Sequence, residues 1–294
     1  MTGTLRLWLV AARPRTLPAA VAPVIVGSAL AASEGVFRPL VFVAALVGSV
    51  FIQIGTNLSN DYSDARRGAD TEDRLGPVRV TSGGLLPPRR VLVGTYVAFA
   101  IAVAAGAYLV AVAGWELLLV GAVSILAGVL YTGGPRPYGY EGLGELFVFL
   151  FFGVVAVVGS YFAQTERLSE EAFALSVPVG LLAAGILIVN NVRDVDTDRR
   201  AGKHTLAVKL GREHAARLYA AALAVAFLVP VALWLAGSFS AWILLPLAAA
   251  PLAVPVARTV LTRIDGPALN AALGRTGALL ALVSVLLAVG VLAS

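Results

Sequence analysis

The sequence predicts an all-α polytopic membrane protein with nine transmembrane helices around a central cavity. Hydrophobic residues make up 59% of its 294 residues and charged residues only 13%, which does not describe a water-soluble surface. Apolar runs of about 17 to 25 residues, the length that crosses a bilayer, recur along the chain. The runs contain Gly, Pro, Leu and Ala without strict alternation, so helices are favoured over a β-barrel.

The nine predicted helices leave little chain for a domain outside the membrane. The stretch before them, residues 5–12 with Trp8, is too short to span and is expected at the membrane interface. Arg13 and Arg15 then precede the first long run, and because no small-residue cleavage site follows, this helix is expected to stay uncleaved. The predicted helices lie near residues 15–32, 39–60, 91–112, 115–131, 143–164, 172–192, 214–236, 240–260 and 269–292.

The basic residues predict the orientation of these helices in a bacterial cell membrane. With the N-terminus in the cytoplasm, most of the 22 Lys and Arg fall on the cytoplasmic side, as the positive-inside rule requires. Only Arg38 and Arg167 fall outside, and Arg275 lies within the ninth helix, so the C-terminus is expected outside. The net charge of +5 is not concentrated on a soluble module, so we expect no nucleic-acid partner. Cysteine is absent, which excludes disulfides and thiolate metal sites.

Polar side chains with helical spacing lie at the cytoplasmic end of the second predicted helix. Asn57, Asn60, Asp61 and Asp64 are three and four residues apart in the string GTNLSNDYSDARRGAD. If the helix continues as far as Asp64, these side chains share one face. The end of this helix would then present amide and carboxylate oxygens in a row.

The sixth predicted helix ends in the same way. Asn190, Asp194 and Asp198 repeat every four residues, which again places them on one face. The step from the second predicted helix to the sixth is an even number of crossings, so the two helices run parallel, and a single domain over residues 1–294 with two parallel, motif-bearing halves follows. Ordinary juxtamembrane charges remain the alternative, although carboxylates and amides at a membrane edge are costly unless they are paired or ligated.

Oxygen ligands of this kind suit Mg²⁺, which is typically held by one or two carboxylates together with substrate phosphates. The expected metal ligands are Asp61, Asp64, Asp194 and Asp198. Because carboxylates alone would repel a phosphorylated substrate, nearby Arg and Lys are expected to hold its outer oxygens. The residues expected to bind substrate are Asn57, Asn60, Asn190, Arg67, Arg136 and Lys203.

The two sets resemble the paired motifs of a known family, the UbiA-type intramembrane prenyltransferases. Asn60-Asp61-x-x-Asp64 looks like the first Asp-rich motif and Asp194-x-x-x-Asp198 like the second. The strings NLSNDYSDARRGAD, YTGGPRPYGYEGLGEL and NNVRDVDTDRRAGKHTLAVKLG, with the start RPRTLPAAVAPVIVG, resemble the branch that prenylates dihydroxynaphthoate. Where the ubiquinone-type motif continues with another Asp, this chain has Gly68, so a ligand role for the later Asp70 stays open.

The resemblance implies Mg²⁺-dependent transfer of a polyprenyl chain from polyprenyl diphosphate to 1,4-dihydroxy-2-naphthoate. Diphosphate and CO₂ would leave, and demethylmenaquinone would form in a cavity open to membrane lipid. The segment at Tyr131 and Arg136 would contact the isoprenyl C1 and the diphosphate. Arg13 and Arg15 could meet the acceptor carboxylate, although topology signalling explains them equally well. The residues expected to be catalytic are Asp61, Asp64, Asp194, Asp198 and Tyr131.

Two alternatives stay open at this point. One is an aromatic prenyltransferase with another acceptor, such as 4-hydroxybenzoate or homogentisate, which the spacing from Gly68 to Asp70 disfavours. The other is an ion-coupled secondary transporter, since intramembrane Asp and Asn residues also mark ion pathways. Transporter sites lie near the bilayer midplane, whereas both sets here are predicted at the cytoplasmic edge. The preferred prenyl chain length and the oligomeric state are not predicted by the sequence.

Overall fold

The computed structural model describes residues 3–69, 75–76 and 78–294 of the chain. Two short 3₁₀ turns, Pro14–Thr16 and Tyr138–Glu141, accompany its helices, and the tenth helix begins with a 3₁₀ segment, Ala241–Ala249. The helices are α1 Gly3–Ala12, α2 Pro18–Ser33, α3 Pro39–Arg67, α4 Pro88–Ala113, α5 Glu116–Leu130, α6 Gly144–Thr165, α7 Glu170–Arg200, α8 Leu206–Leu210, α9 Arg212–Leu235, α10 Ala241–Thr262 and α11 Gly266–Leu292.

Among the described residues, seven helices are long and apolar enough to cross a membrane, namely α3, α4, α6, α7, α9, α10 and α11. An eighth span is reached if α1 and α2, which meet at a bend of 54°, are counted as one. Helix α5 is apolar but has only 15 residues. The predicted all-helical membrane architecture is therefore confirmed. The count of nine spans and the placement of the two termini remain predictions.

Local sequence explains where the helices that carry the polar sets begin and end. Ser169 caps α7, its hydroxyl accepting from the backbone N–H of Ala172 at 3.3 Å. Helix α3 continues past the predicted end and stops at Gly68, whose φ of 64° is the left-handed conformation that glycine adopts readily. Helix α7 likewise continues to Arg200. Both polar sets therefore lie within regular helix, as their spacing requires.

Helices α6 and α7 cross closely at a pair of glycines. A β-carbon on Gly153 would lie 2.7 Å from the Cα of Gly180, and one on Gly180 would lie 2.9 Å from the carbonyl oxygen of Phe149. Only a residue without a side chain fits there, which is how small residues bring membrane helices together. The contacting part of α6, Phe149–Val155, is wound as a π-helix, a local widening that often occurs near functional sites.

Helix α7 lies at the centre of the bundle. Of its most apolar 18-residue stretch, 72% is buried, against 17% for α3 and for α4. Side chains such as Leu175, Leu182 and Val189 pack with residues of α2, α6, α9, α10 and α11 in the largest apolar core. Helices α3 and α4 pack mainly on each other and, near α1, share a second core around Leu58 and Val91. A large cavity separates these two parts.

Candidate active site

The cavity has a volume of about 500 Å³ and lies between α3, α4, α5, α6 and α7. Its body is lined by apolar side chains of these helices, including Val103, Leu118, Phe147 and Phe151. Its polar end is formed where α3, α5 and α7 end. The charged and amide side chains that line the cavity are Arg13, Gln53, Asn57, Asn60, Asp64, Arg79, Asn190, Asn191, Asp194, Asp198 and Lys203.

Most of the residues predicted from the two motifs lie in this one cavity. Two halves that are far apart in sequence are brought together there, since Asp64 lies in the last turn of α3 and Asp194 lies near the end of α7. Three predicted site residues, Asp61, Arg67 and Arg136, do not line the cavity. Those that do are Asn57, Asn60, Asp64, Tyr131, Asn190, Asp194, Asp198 and Lys203.

Asp64 is the carboxylate that α3 presents to the cavity. Its Oδ2 accepts from the guanidinium of Arg79 at 3.1 Å, and its Oδ1 accepts from the phenol of Tyr140 at 2.6 Å. The carboxylate and its arginine are both well buried, with side-chain exposures of 2% and 10%. An ion pair with an additional hydrogen bond compensates the cost of burying the charge. Arg79 comes from the segment before α4, which the sequence did not single out.

Asp61, one turn before Asp64, has a different environment. Its Oδ2 accepts from the backbone N–H of Val80 at 3.1 Å and its Oδ1 from that of Thr81 at 2.9 Å. The residue is only 2% exposed. Unlike Asp64 and Asp194, Asp61 does not line the cavity and its oxygens accept from backbone amides, so this geometry does not support Asp61 as a direct metal ligand.

The two asparagines of α3 are held by different neighbours. The side-chain amide of Asn57 donates to the carbonyl of Ala12 at 3.0 Å and to the hydroxyl of Thr16 at 3.2 Å. Both donor hydrogens are used, so the carbonyl oxygen is the polar atom that Asn57 has left to offer the cavity. The carbonyl of Asn60 accepts from the hydroxyl of Thr132 at 2.9 Å, which ties α3 to the end of α5.

On α7, the neighbouring residue neutralises Asp194. Arg193 donates from Nε to Oδ1 at 2.8 Å and from Nη2 to Oδ2 at 2.5 Å. The same guanidinium donates to the side-chain carbonyl of Asn190 at 2.8 Å and to that of Asn270, on α11, at 2.6 Å. Arg193 is 1% exposed, so these partners compensate its charge inside the protein. Asn190 therefore lines the cavity with its carbonyl already engaged.

A chain of contacts links the end of α7 to the cluster on α3. The backbone N–H of Lys203 donates to the carbonyl of Asp198 at 2.9 Å, which turns the chain back at the end of the helix. The ammonium of Lys203 lies over the ring of Tyr140, 4.8 Å from its centroid, a favourable cation-π distance. Since the phenol of Tyr140 donates to Asp64, both ends of the site meet at this tyrosine.

Aromatic side chains lie between the polar end and the apolar body. The ring of Tyr131 meets that of Tyr138 edge-on with centroids 5.4 Å apart. Tyr138 stacks on Phe147 at 4.1 Å, and Phe147 stands 6.1 Å from Phe151. The phenol of Tyr138 donates to the carbonyl of Ala127 at 2.9 Å, which fixes its ring. Tyr131 is thus held at the border between the charged and apolar parts of the cavity.

The two predicted arginines that lie outside the cavity are exposed at the surface. Arg67 donates to the carbonyl of Gly134, and Arg136 lies in the loop after α5. Both lie close in sequence to a helix end, but both are exposed and neither lines the cavity, so the geometry does not support direct substrate contact. Asp70 lies outside the described residues.

The side chains present are compatible with a divalent metal ion. Within residues 3–69, 75–76 and 78–294, no group of three or more His, Asp or Glu side chains could hold a metal alone. Mg²⁺ does not require one, because it keeps waters and uses one or two carboxylates with substrate phosphates. The cavity offers Asp64, Asp194 and Asp198 with the free amide oxygen of Asn57. These are hard oxygen donors, which is the ligand chemistry that Mg²⁺ takes.

Sequence reasoning missed Arg79, Tyr140 and Arg193. Arg193 is adjacent to a motif aspartate, and an arginine within an apolar helix is a signal that it is paired inside the protein. Tyr140 lies in the string YTGGPRPYGYEGLGEL, whose many aromatic and glycine residues indicate a packed loop. Arg79 carries no local signal, since its partner is fifteen residues away across a loop.

Comparison with known proteins gives consistent matches. The model of the UbiA prenyltransferase family matches residues 20–285. The chain is 43% identical over 270 residues to a 1,4-dihydroxy-2-naphthoate octaprenyltransferase of Mycobacterium tuberculosis, covering 92% of this chain and 91% of that protein. It is 43% identical over 282 residues to the protein of the same name from Escherichia coli, covering 93% and 91%.

Solved structures share the fold. A UbiA homologue from Archaeoglobus fulgidus bound to DMAPP and Mg²⁺ superimposes with a TM-score of 0.64 at 16% identity, covering 96% of this chain and 99% of that chain. A digeranylgeranylglyceryl phosphate synthase superimposes with a TM-score of 0.67 at 15% identity, covering 99% of both chains. The chain is therefore an enzyme that belongs to the UbiA prenyltransferase family.

Proposed function

We propose that this enzyme transfers a polyprenyl chain from polyprenyl diphosphate to 1,4-dihydroxy-2-naphthoate, with loss of diphosphate and CO₂. The product would be demethylmenaquinone in its quinol form. The observation that carries this proposal is a single cavity with a charged end at Asp64, Asp194 and Asp198 and a long apolar body. Such a cavity fits a donor with an anionic head and a hydrocarbon tail. The names of the relatives from Mycobacterium tuberculosis and Escherichia coli support the choice of acceptor.

The diphosphate of the donor would lie at the charged end. Mg²⁺, when bound, supplies charge neutralisation for the departing diphosphate, and Asp64, Asp194 and Asp198 would hold it. The guanidinium of Arg79 and the ammonium of Lys203 line the same end and would donate to the outer phosphate oxygens. Charge stabilisation of the leaving group is the main task of catalysis in this kind of reaction.

The prenyl tail would lie along the apolar body, with its reacting carbon near Tyr131. As the C1–O bond breaks, C1 gains positive charge, which the π face of a nearby ring stabilises. The row from Tyr138 to Phe147 and Phe151 continues away from the charged end as a surface for the tail. These apolar walls also keep water from reaching the cation.

The acceptor would enter beside Arg13, which lines the cavity and has a φ of 53°. A positive φ is uncommon for a residue with a side chain, and such conformations concentrate at functional sites. The guanidinium would hold the acceptor carboxylate in a charge-assisted pair. The aromatic carbon that bears this carboxylate would bond to C1. The carboxylate would then leave as CO₂, and its bonding electrons would restore the aromatic ring.

The positions of the basic residues and of the helices support a membrane orientation and an arrangement of the domain in two halves. We infer that the charged end faces the cytoplasm, with the N-terminus inside and the C-terminus outside. The basic residues near this end support that orientation through the positive-inside rule. Nine crossings would follow if the bent pair α1 and α2 and the short α5 each cross once. The motif-bearing α3 and α7 would then belong to two parallel halves of one domain over residues 1–294.

The decisive assay supplies membranes that contain the enzyme with polyprenyl diphosphate, Mg²⁺ and dihydroxynaphthoate. Asp198→Asn and EDTA should each reduce product by about 100-fold or more, because the leaving group loses its charge stabilisation. Asp196→Asn is the matched control, since Asp196 lies on the same helix but is 66% exposed and paired with Arg212. Product that persists in EDTA and in Asp198→Asn would contradict the site. Product with 4-hydroxybenzoate alone would contradict the acceptor.

A further inference from the structure

The segment between α3 and α4 contains a tight turn whose backbone is bound to α3 by the carboxylate of Asp61. The N–H of Gly83 donates to the carbonyl of Arg79 at 3.0 Å, and those of Leu85 and Leu86 both donate to the carbonyl of Val80 at 2.9 Å. We call residues 79–86 the Arg79 turn. These bonds give the turn a defined internal shape, so its position relative to α3 depends on how it is attached.

Besides the pair of Arg79 with Asp64, two contacts attach the Arg79 turn to α3. The carboxylate of Asp61 accepts from the N–H groups of Val80 and Thr81 at 3.1 and 2.9 Å. The side chain of Val80 is fully buried and packs in a small core with Leu58 and Ala11. A carboxylate that accepts two backbone N–H groups forms charge-assisted hydrogen bonds, which are about twice as strong as neutral ones. Asp61 is therefore the polar part of this attachment.

Arg79 directly precedes the two amides that Asp61 holds. Its side chain runs from the turn into the cavity, where it lines the charged end and pairs with Asp64 at 3.1 Å. A guanidinium on a long side chain is placed accurately only if its backbone is fixed. Because the backbone is fixed at the next two residues, Asp61 determines where the Arg79 guanidinium can reach.

We propose that Asp61 is a positioning residue, which presents Arg79 to the diphosphate, and that it is not a metal ligand. This inference rests on the proposed function. Two aspartates three residues apart on a helix differ by about 60° in direction. Here this difference gives the two carboxylates different partners. Asp64 faces the cavity, whereas Asp61 faces the turn that supplies the arginine.

The first test compares the kinetic effects of Asp61→Asn, Arg79→Ala and Asp64→Asn. In Asp61→Asn an amide donor replaces one acceptor oxygen and opposes a backbone N–H, so the turn loosens. We expect Asp61→Asn and Arg79→Ala each to raise the KM for prenyl diphosphate by about 10-fold or more, with the half-saturating Mg²⁺ concentration unchanged. Asp64→Asn should raise the Mg²⁺ concentration required. In the double variant the first two effects should not add, because one acts through the other.

The second test does not depend on activity. Hydrogen exchange of the Val80 and Thr81 amides should accelerate in Asp61→Asn and remain slow in Asp64→Asn, since only the former loses their acceptor. Thermal stabilisation of the purified protein by inorganic diphosphate with Mg²⁺ should weaken in Arg79→Ala. If Asp61→Asn does not fold, Arg79→Ala still tests the proposal. Arg79→Ala removes the guanidinium and leaves the amides of Val80 and Thr81 bound to Asp61.

The outcomes separate this inference from the proposed function. An Asp61→Asn variant with altered Mg²⁺ half-saturation and unchanged amide exchange would overturn the positioning role and restore a ligand role. Fully additive KM effects of Asp61→Asn and Arg79→Ala would also overturn it, as would an unchanged KM and an unchanged diphosphate effect in Arg79→Ala. If the wild-type enzyme makes no product with dihydroxynaphthoate, the acceptor assignment fails, whereas the exchange and diphosphate measurements still decide the role of Asp61.

Discussion

The guanidinium of Arg193 donates two hydrogen bonds, of 2.8 and 2.5 Å, to the carboxylate of the next residue, Asp194. Adjacent residues on a helix point in directions about 100° apart, so the long arginine side chain must bend back to make this pair. The guanidinium also reaches Asn270 on α11, whose amide donates to the carbonyl of Leu75 at 2.8 Å. One buried arginine therefore connects the second motif, the last helix and the segment before the Arg79 turn.

Removing this arginine should destabilise the protein strongly. In Arg193→Leu the carboxylate of Asp194 keeps its buried position without its partner, and breaking a buried pair in this way costs about 3–5 kcal/mol. Thermal unfolding of the purified protein in detergent measures the loss. Arg217→Ala is the control, because its pair with Glu213 is exposed and should contribute no more than about 0.5 kcal/mol. Equal losses in the two variants would contradict this account.

The ring of Tyr131, and not its hydroxyl, should matter for turnover. In the proposed reaction the ring of Tyr131 lies beside the reacting carbon, and Tyr131→Phe retains its π face, so we expect nearly normal kcat. Tyr131→Leu removes the face, and kcat should fall by about ten-fold or more. Turnover at saturating donor concentration distinguishes the two variants. A phenylalanine variant as inactive as the leucine variant would indicate that the hydroxyl acts instead.

Gly180 should tolerate no side chain. In Gly180→Ala the new carbon would meet the backbone of Phe149 and Gly153 at 2.9 and 3.0 Å, so α6 and α7 must separate at a cost of about 1–3 kcal/mol. Gly121→Ala is a matched control on α5, because open space surrounds its added carbon and alanine favours helix. Melting temperatures should therefore fall for the first variant and stay level or rise for the second.

Asp265 should give α11 a stability contribution that acid removes. Its carboxylate accepts from the N–H of Ala268 at 3.0 Å and from Arg263 at 2.7 Å, which lowers the pKa of Asp265 below its ordinary 3.8. Because the folded state binds the proton more weakly, the contribution is present above about pH 4 and is lost as pH falls below it. The difference in melting temperature between wild type and Asp265→Ala should shrink from about pH 5 to pH 2. A difference that stays constant over this range would contradict the prediction.

The helical architecture and the location of the site could both be predicted from local patterns. The membrane helices are visible in the sequence as long apolar runs. Helical spacing placed Asn57, Asp64, Asp194 and Asp198 correctly on the cavity side. The direction of Asp61 could not be predicted, because it depends on a turn that folds back from residues 79–86. Spacing restricts a side chain to a broad face, and a neighbour from another part of the chain decides its partner.

The basic residues were less predictable for a physical reason. Long arginine side chains reach several ångströms from their backbone, so closeness in sequence to a motif does not fix where the charge lies. Arg67 and Arg136 are exposed and do not line the cavity, whereas Arg79 and Arg193 pair with aspartates that do. The number of membrane-spanning helices is difficult to predict for another reason. Hydropathy treats α5 like its neighbours, although it is only 15 residues long.

The cavity lining includes Val103 of α4 and Leu118 of α5, which are 58% and 64% exposed. A lipid-like donor would therefore reach the enzyme by diffusing within the bilayer. The quantity that sets occupancy is then the mole fraction of donor among the surrounding lipids, and not its molarity in the suspension. Adding inert lipid or detergent at constant total donor would slow turnover by surface dilution, so apparent affinities are comparable only at equal donor-to-lipid ratios.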